Sequence, residues 1–139
     1  MSIDKLFAEG FLKKVQPSAE RSKKSLAISE KYLLEAKETA KINAPHASIL
    51  GAYNCVFHAA RAILFKDGVA ERSHFAIADY LQEKHKDFGA DYIASFDHYR
   101  KLRHSVAYGL DTVVGENDAK EAVKFAEDFL KKVKAYLKQ

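Results

Sequence analysis

The sequence predicts an all-α protein, an antiparallel helical bundle of four long helices plus short extra helices. Three observations carry this. Two prolines and six glycines punctuate 139 residues, too few for a chain built of many tight turns. No stretch keeps strict two-residue alternation long enough for a half-buried strand. Apolar residues recur instead at three- and four-residue spacing, in long segments with short connections, and such segments pack as antiparallel neighbours.

Each element has its own signals. Residues 1–17 form a short N-terminal helical segment, with Ile3, Leu6, Phe7 and Phe11 on one side of a piece over residues 3–15, ending at Pro17. Ser18 is a good N-cap for a helix to about Asn43, burying Leu26, Leu33, Ala36 and Ala40. Asn43, Ala44 and Pro45 make the turn, with the proline at the next helix start. That helix, about residues 45–66, is apolar over most of its circumference (Leu50, Tyr53, Val56, Phe57, Ala59, Ala60, Ile63, Leu64) and so belongs at the centre. Asp67 and Gly68 end it, and Ser73 caps a shorter helix through Ile77, Tyr80 and Leu81. The next runs from about Phe88 to Tyr108 and stops at Gly109. Asn117 caps the last, whose stripe is Ala119, Ala122, Ala126, Phe129, Val133 and Leu137. The expected core holds Leu33, Tyr53, Phe57, Leu64, Ile93, Phe96, Phe129 and Val133, with no β-sheet in residues 18–138. No repeat, low-complexity segment or boundary divides the chain, so residues 1–139 read as one domain.

Composition excludes several classes. A hydrophobic fraction of 47% with 30% charged residues describes a soluble globular protein, neither disordered nor membrane-embedded. No apolar run approaches the roughly 20 residues of a bilayer span, and the N-terminus lacks a signal-peptide pattern. A cytoplasmic protein is expected. The single cysteine, Cys55, lies mid-helix among apolar residues and reads as a small core residue. The net charge of +4 comes largely from lysines such as Lys23, Lys24, Lys131, Lys132, Lys134 and Lys138, interspersed with glutamates on helix exteriors. This is compatible with nucleic acid without arguing for it.

Chemistry concentrates on the helix over about residues 88–108. Tyr92, Ile93, Phe96, Tyr99, Val106 and Ala107 fall on one apolar stripe; Arg103 sits near its middle and Arg100 on its edge beside His104. A guanidinium aimed at a core is costly unless something anionic or polar meets it. Either Arg103 is satisfied inside the fold, or it lines a cleft where a ligand brings the negative charge. Asp97, Arg100, His104 and Tyr108 follow one another at three- or four-residue spacing along one flank. This flank is either a buried hydrogen-bond network or a phosphate-facing site, since paired guanidiniums suit phosphate oxygens. Other constellations are set aside. Glu71-Arg72-Ser73-His74 is the one Glu-x-x-His match of the di-iron type, and it straddles a loop and a cap. Phosphate-loop, dinucleotide and His-Glu-x-x-His motifs are absent. Of the six histidines, His46, His74 and His85 lie near helix ends, where they cap or face solvent. No metal and no cofactor is expected.

Three segments give the chain a family likeness: residues 51–64 (GAYNCVFHAARAIL), residues 73–81 (SHFAIADYL) and residues 100–109 (RKLRHSVAYG). In this order they resemble the second, third and fourth helices of the HEPN family (higher eukaryotes and prokaryotes nucleotide-binding), in its bacterial and archaeal single-domain branch. The resemblance implies a homodimer whose fourth helices meet beside a cleft. Active members of the family are metal-independent ribonucleases, often toxins paired with a small nucleotidyltransferase antitoxin. Their motif is an arginine, a polar residue, three variable positions and a histidine. Arg103 matches the arginine and His104 the polar residue, while Tyr108 stands in the histidine's place. An imidazole exchanges protons near pH 7, whereas a phenol of pKa about 10 is a poor base. The resemblance therefore implies a nucleotide- or RNA-associated partner of a nucleotidyltransferase, with weak or no catalysis. Arg100, Arg103 and His104 would bind, and Tyr108 would be the residue available for nucleotidylation. The alternatives are a ribonuclease working through Arg103, His104 and Tyr108, and a plain dimerising scaffold.

Overall fold

The computed structural model describes residues 1–138. Among them the chain runs α1 (Ile3–Ala8), β1 (Leu12–Lys14), α2 (Ala19–Lys41), α3 (Pro45–Asp67), β2 (Val69–Glu71), α4 (His74–Lys84), α5 (Ala90–Tyr108) and α6 (Glu116–Leu137). The four long helices α2, α3, α5 and α6 are those the periodicity predicts. Ser18 starts α2 with an extended backbone and a hydroxyl that accepts from the Arg21 N–H at 3.0 Å. Pro45 is the first residue of α3, where its missing N–H costs nothing. Gly68 ends that helix at φ 83° and donates to the carbonyls of Leu64 and Phe65. It is also wedged: a Cβ there would come within 2.8 Å of Pro17 and of the Val15 carbonyl oxygen. The last helix begins two residues earlier than expected. Gly115 is its N-cap, and Asp118 accepts from the Gly115 N–H at 2.8 Å, leaving Asn117 inside the first turn.

α3 lies at the centre, against α2, α5 and α6. Its contact with α2 is made by small residues. Ser22, Ser25 and Ser29 are all buried, and their hydroxyls donate to the α3 carbonyls of Ala62 (2.8 Å), His58 (2.6 Å) and Cys55 (2.6 Å). Ser48 returns the pattern, donating to the Ala36 carbonyl at 2.9 Å. A Cβ placed on Gly51 would stand 3.3 Å from that of Ala36. The sequence expectation for this face was Leu26, Leu33, Ala36 and Ala40. Only Ala36 is buried, while the other three are half-buried at its sides. Of the expected core, Tyr53, Phe57, Leu64, Ile93, Phe96, Phe129 and Val133 are buried, and Leu33 packs at the edge.

Three further expectations are corrected. The N-terminal segment is not helical throughout: α1 stops after Ala8, Gly10 turns the chain at φ 79°, and residues 12–14 are extended. Those residues pair antiparallel with β2, Leu12 opposite Glu71 and Lys14 opposite Val69, so a two-stranded sheet does enter residues 18–138. Three residues are too short for periodicity to reveal a strand. The apolar stripe of α5 also ends early. Ile93 and Phe96 are its only buried residues, Val106 is half-buried and Ala107 exposed, because no helix covers that end. Finally, α3 is long and apolar enough, by composition, to cross a membrane, but two-thirds of its most apolar window is buried inside the bundle.

Cys55 is buried beside Ser29 Oγ at 3.3 Å, and burial pushes its thiol up to about 11, as befits a core residue. His85 is a structural tie. It contacts Asp67 at 2.5 Å and the Tyr136 hydroxyl at 2.6 Å, while Tyr80 donates to the same aspartate at 2.7 Å. This joins the ends of α3, α4 and α6.

The close α2–α3 seam predicts that Ala36→Leu, which overfills it, lowers unfolding free energy by about 1–3 kcal/mol. Urea denaturation should show the loss as a lower midpoint with an unchanged slope.

Candidate functional site

The face of α3 turned away from α2 carries Tyr53 and Phe57 one turn apart, with ring centroids at 6.3 Å. β2 and Ser73 deliver His74, the first residue of α4, onto those rings. The imidazole stacks on Phe57 at 4.1 Å and 14°, and its Nδ1 lies 2.8 Å from the Tyr53 hydroxyl oxygen. Ser73 occupies the N-cap position as expected, but its hydroxyl makes no cap bond. From α5, the Arg103 guanidinium lies over the Tyr53 ring, 5.9 Å from its centroid, where the π-face partly offsets the cost of removing the cation from water.

Three guanidiniums surround this cluster, and their partners differ. Arg61 reaches Glu71 of β2 at 2.9 Å, between the rings of Phe57 (5.3 Å) and Phe65 (4.9 Å). Arg100 donates to Asp97 at 2.8 Å, and Lys101 joins the same carboxylate at 3.4 Å. Arg103 has no carboxylate within ion-pair distance among the described residues. It is half-buried on a helix end that the core does not cover, with the Tyr53 ring beneath its guanidinium. The groove of about 370 Å³ between α4 and α5 is lined by Asp79 and Asp97 as well as Arg100. Two carboxylates there outnumber one guanidinium, and Arg103 is not part of that lining.

Titration follows from this placement. Burial, then Arg103, Arg61 and Arg100, hold His74 below its ordinary value. Its neighbour His58, stacked on Tyr32 at 5.5 Å, is pushed down to about 4 by burial and then by Arg61 and His74. Burial alone would raise Asp97, but the Arg100 bond and charge, with Lys101, outweigh it and leave the carboxyl below its usual range.

The predicted site residues thus separate. Arg100 and Arg103 border the His74 cluster. His104 and Tyr108 lie against each other, ring centroids 5.0 Å apart, on an exposed flank, with Tyr108 67% exposed. Beyond them Leu110 and Val113 are 99% and 90% exposed. Tyr53, His58, Arg61, Glu71 and His74 are the residues that sequence reasoning missed. Two signals touch them: the family-like segments 51–64 and 73–81, which name no role for them, and Glu71-Arg72-Ser73-His74, set aside as straddling a loop and a cap. The structure sends its two ends to different partners, Arg61 and Tyr53, within one site. The expectation that His74 caps or faces solvent is corrected, because its ring is held between α3 and α4. Among the described residues no three His, Cys, Asp or Glu side chains converge as metal ligands.

The neutral histidines set an acid limit on stability. Between pH 6.5 and about 4 the unfolded chain binds a proton that folded His58 refuses, so stability falls as pH drops through that window, and His74, also held below its ordinary value, adds to the fall. The depressed carboxylate Asp97 acts only below its own ordinary range. Melting temperature measured from pH 7 to 4.5 should decline, and His58→Phe should flatten the decline.

A family model described as the HEPN domain matches residues 22–136, most of the chain. No curated protein matches it.

Proposed function

Because the chain belongs to the HEPN family, we propose that it acts on RNA or a nucleotide as a homodimer, with Arg103 as the phosphate anchor. Family membership supports the coarser part, a nucleotide- or RNA-related role of ribonuclease-like descent. One observation carries the finer part. Arg61 and Arg100 have carboxylates, and Arg103, half-buried like them, has none among the described residues. A phosphate oxygen pair suits the planar fork of a guanidinium better than any neutral group.

The exposed end of α5 supports the dimer. Leu110 and Val113, just past that end, present apolar surface that nothing covers among the described residues of one chain, and such patches mark association sites. Paired across a two-fold axis, two such ends would double the positive charge along a shared groove. Tyr108 is a phenol open enough for a nucleotidyltransferase to reach, which supports nucleotidylation by a partner of the toxin–antitoxin kind. We place the pair in the cytoplasm. His104 and Tyr108 supply no histidine at the family's position, so cleavage is weak or absent.

Fluorescence anisotropy with a labelled single-stranded RNA tests the anchor. Arg103→Ala should weaken binding by about 1.5–3 kcal/mol, the range for hydrogen bonds to charged groups, with the melting temperature unchanged. Equal affinity with a lower melting temperature would make Arg103 structural. Robust metal-free cleavage, abolished by the same change, would make the protein a ribonuclease. Sedimentation at micromolar concentration should give a dimer, and Leu110→Asp with Val113→Asp a monomer.

A further inference from the structure

We propose that His74 is the second phosphate ligand of this site, a neutral imidazole locked by Tyr53 so that its Nε2–H points a donor to the oxyanion that Arg103 binds. The inference rests on the reading of Arg103 as phosphate anchor and adds a residue outside the arginine-to-tyrosine motif of α5.

The tautomer follows from hydrogen-bond accounting. Tyr53 is 1% exposed, and among the described residues His74 Nδ1 at 2.8 Å is the only partner of its hydroxyl. Burial raises the phenol well above its ordinary value, so it keeps its proton. That proton has one acceptor within reach. If Nδ1 carried the hydrogen instead, the phenol O–H would be left buried and unsatisfied, costing about 1–3 kcal/mol. Nδ1 therefore accepts, and a neutral ring carries its hydrogen on Nε2.

Neutrality is set by everything that faces the ring. Arg61 and His58 reach it from α3, Glu71 lies on β2, and Arg100, Arg103 and Asp97 stand on α5. Both carboxylates are engaged, Glu71 by Arg61 and Asp97 by Arg100. An imidazolium here would face three guanidiniums. A neutral N–H escapes that repulsion and still meets an anion, which a lysine at this place would not. Among the described residues Nε2 has no protein partner, and it is not one of the fully buried polar atoms left without one, so it keeps contact with solvent. The first-turn amides of α4 also have no side-chain cap, and the N-terminal end of that helix favours negative charge beside His74.

Two measurements test this in the full chain. Long-range ¹H–¹⁵N spectra at pH 7 should show His74 as the Nε2–H form, and Tyr53→Phe should abolish the preference. An Nδ1–H ring in the unmodified protein overturns the proposal without any ligand. Binding of a single-stranded RNA oligonucleotide and of adenosine monophosphate is then compared across variants. His74→Ala should weaken binding about tenfold or more, and His74→Gln, which keeps an N–H at the end of its side chain, should recover most of it. Equal loss for both ligands places the contact on a single phosphate, whereas loss for RNA alone places it on a strand. If Arg103→Ala weakens binding and His74→Ala does not, His74 is no ligand while the Arg103 reading stands. Equal loss in His74→Ala and His74→Gln removes the donor role. If neither Arg103→Ala nor His74→Ala matters, the anchor reading falls and this inference with it.

Discussion

Everything in this fold hangs from the seam between α2 and α3. Serines 22, 25 and 29 follow the three- and four-residue spacing of one helix face and bring that face close enough to donate to three carbonyls of its neighbour. Those carbonyls already serve the α3 helix, so each takes a second hydrogen bond with its spare lone pair. A larger side chain at any of these places would separate the helices and strand the hydroxyls that remain. Because α2 occupies one side of α3 at short range, the other sides are free for α5, α6 and the aromatic face of Tyr53 and Phe57. The site is therefore a consequence of how small the opposite seam is.

What was legible in the sequence was whatever has a period or a punctuation mark. Ser18, Pro45 and Gly68 mark helix ends by local chemistry, the apolar stripe of α6 is unambiguous at 3.6 residues per turn, and α3 declares itself central by being apolar nearly all round. The seam was not legible for the same reason. Hydropathy places serine outside, whereas a buried serine with a carbonyl partner is at no disadvantage. Leucines at positions 26 and 33 draw the eye to the flank of the true contact. The strand at Val69–Glu71 has no pattern of its own and exists because β1 lies beside it.

The candidate site divides along the same line. Arg103 could be singled out because an arginine in an apolar stripe contradicts its neighbours, a conflict visible in one dimension. His104 and Tyr108 were visible through the family motif, and they lie on the exposed flank of α5. The Tyr53–His74 bond spans 21 residues, and only the path through Gly68 and β2 brings them together. Neither residue violates any local rule. A tyrosine in an apolar helix reads as core and a histidine at a helix start reads as a cap, until a tertiary contact makes them a pair.

The short sheet has a consequence for the order of assembly. α2 and α3 are consecutive helices joined by a brief turn, so their contact closes a small loop and can form early. β1 must find β2 across more than fifty residues of intervening chain, and its register depends on Pro17 and Val15 seating against a Gly68 that exists as a left-handed cap only once α3 has ended. The amino-terminal arm is thus the last piece to dock and the first to leave. Amide hydrogens of residues 12–14 should exchange by local opening while the α2–α3 hairpin exchanges by global unfolding. β2 leads straight into α4, so each detachment of the arm loosens the support under His74 and leaves the core below it intact.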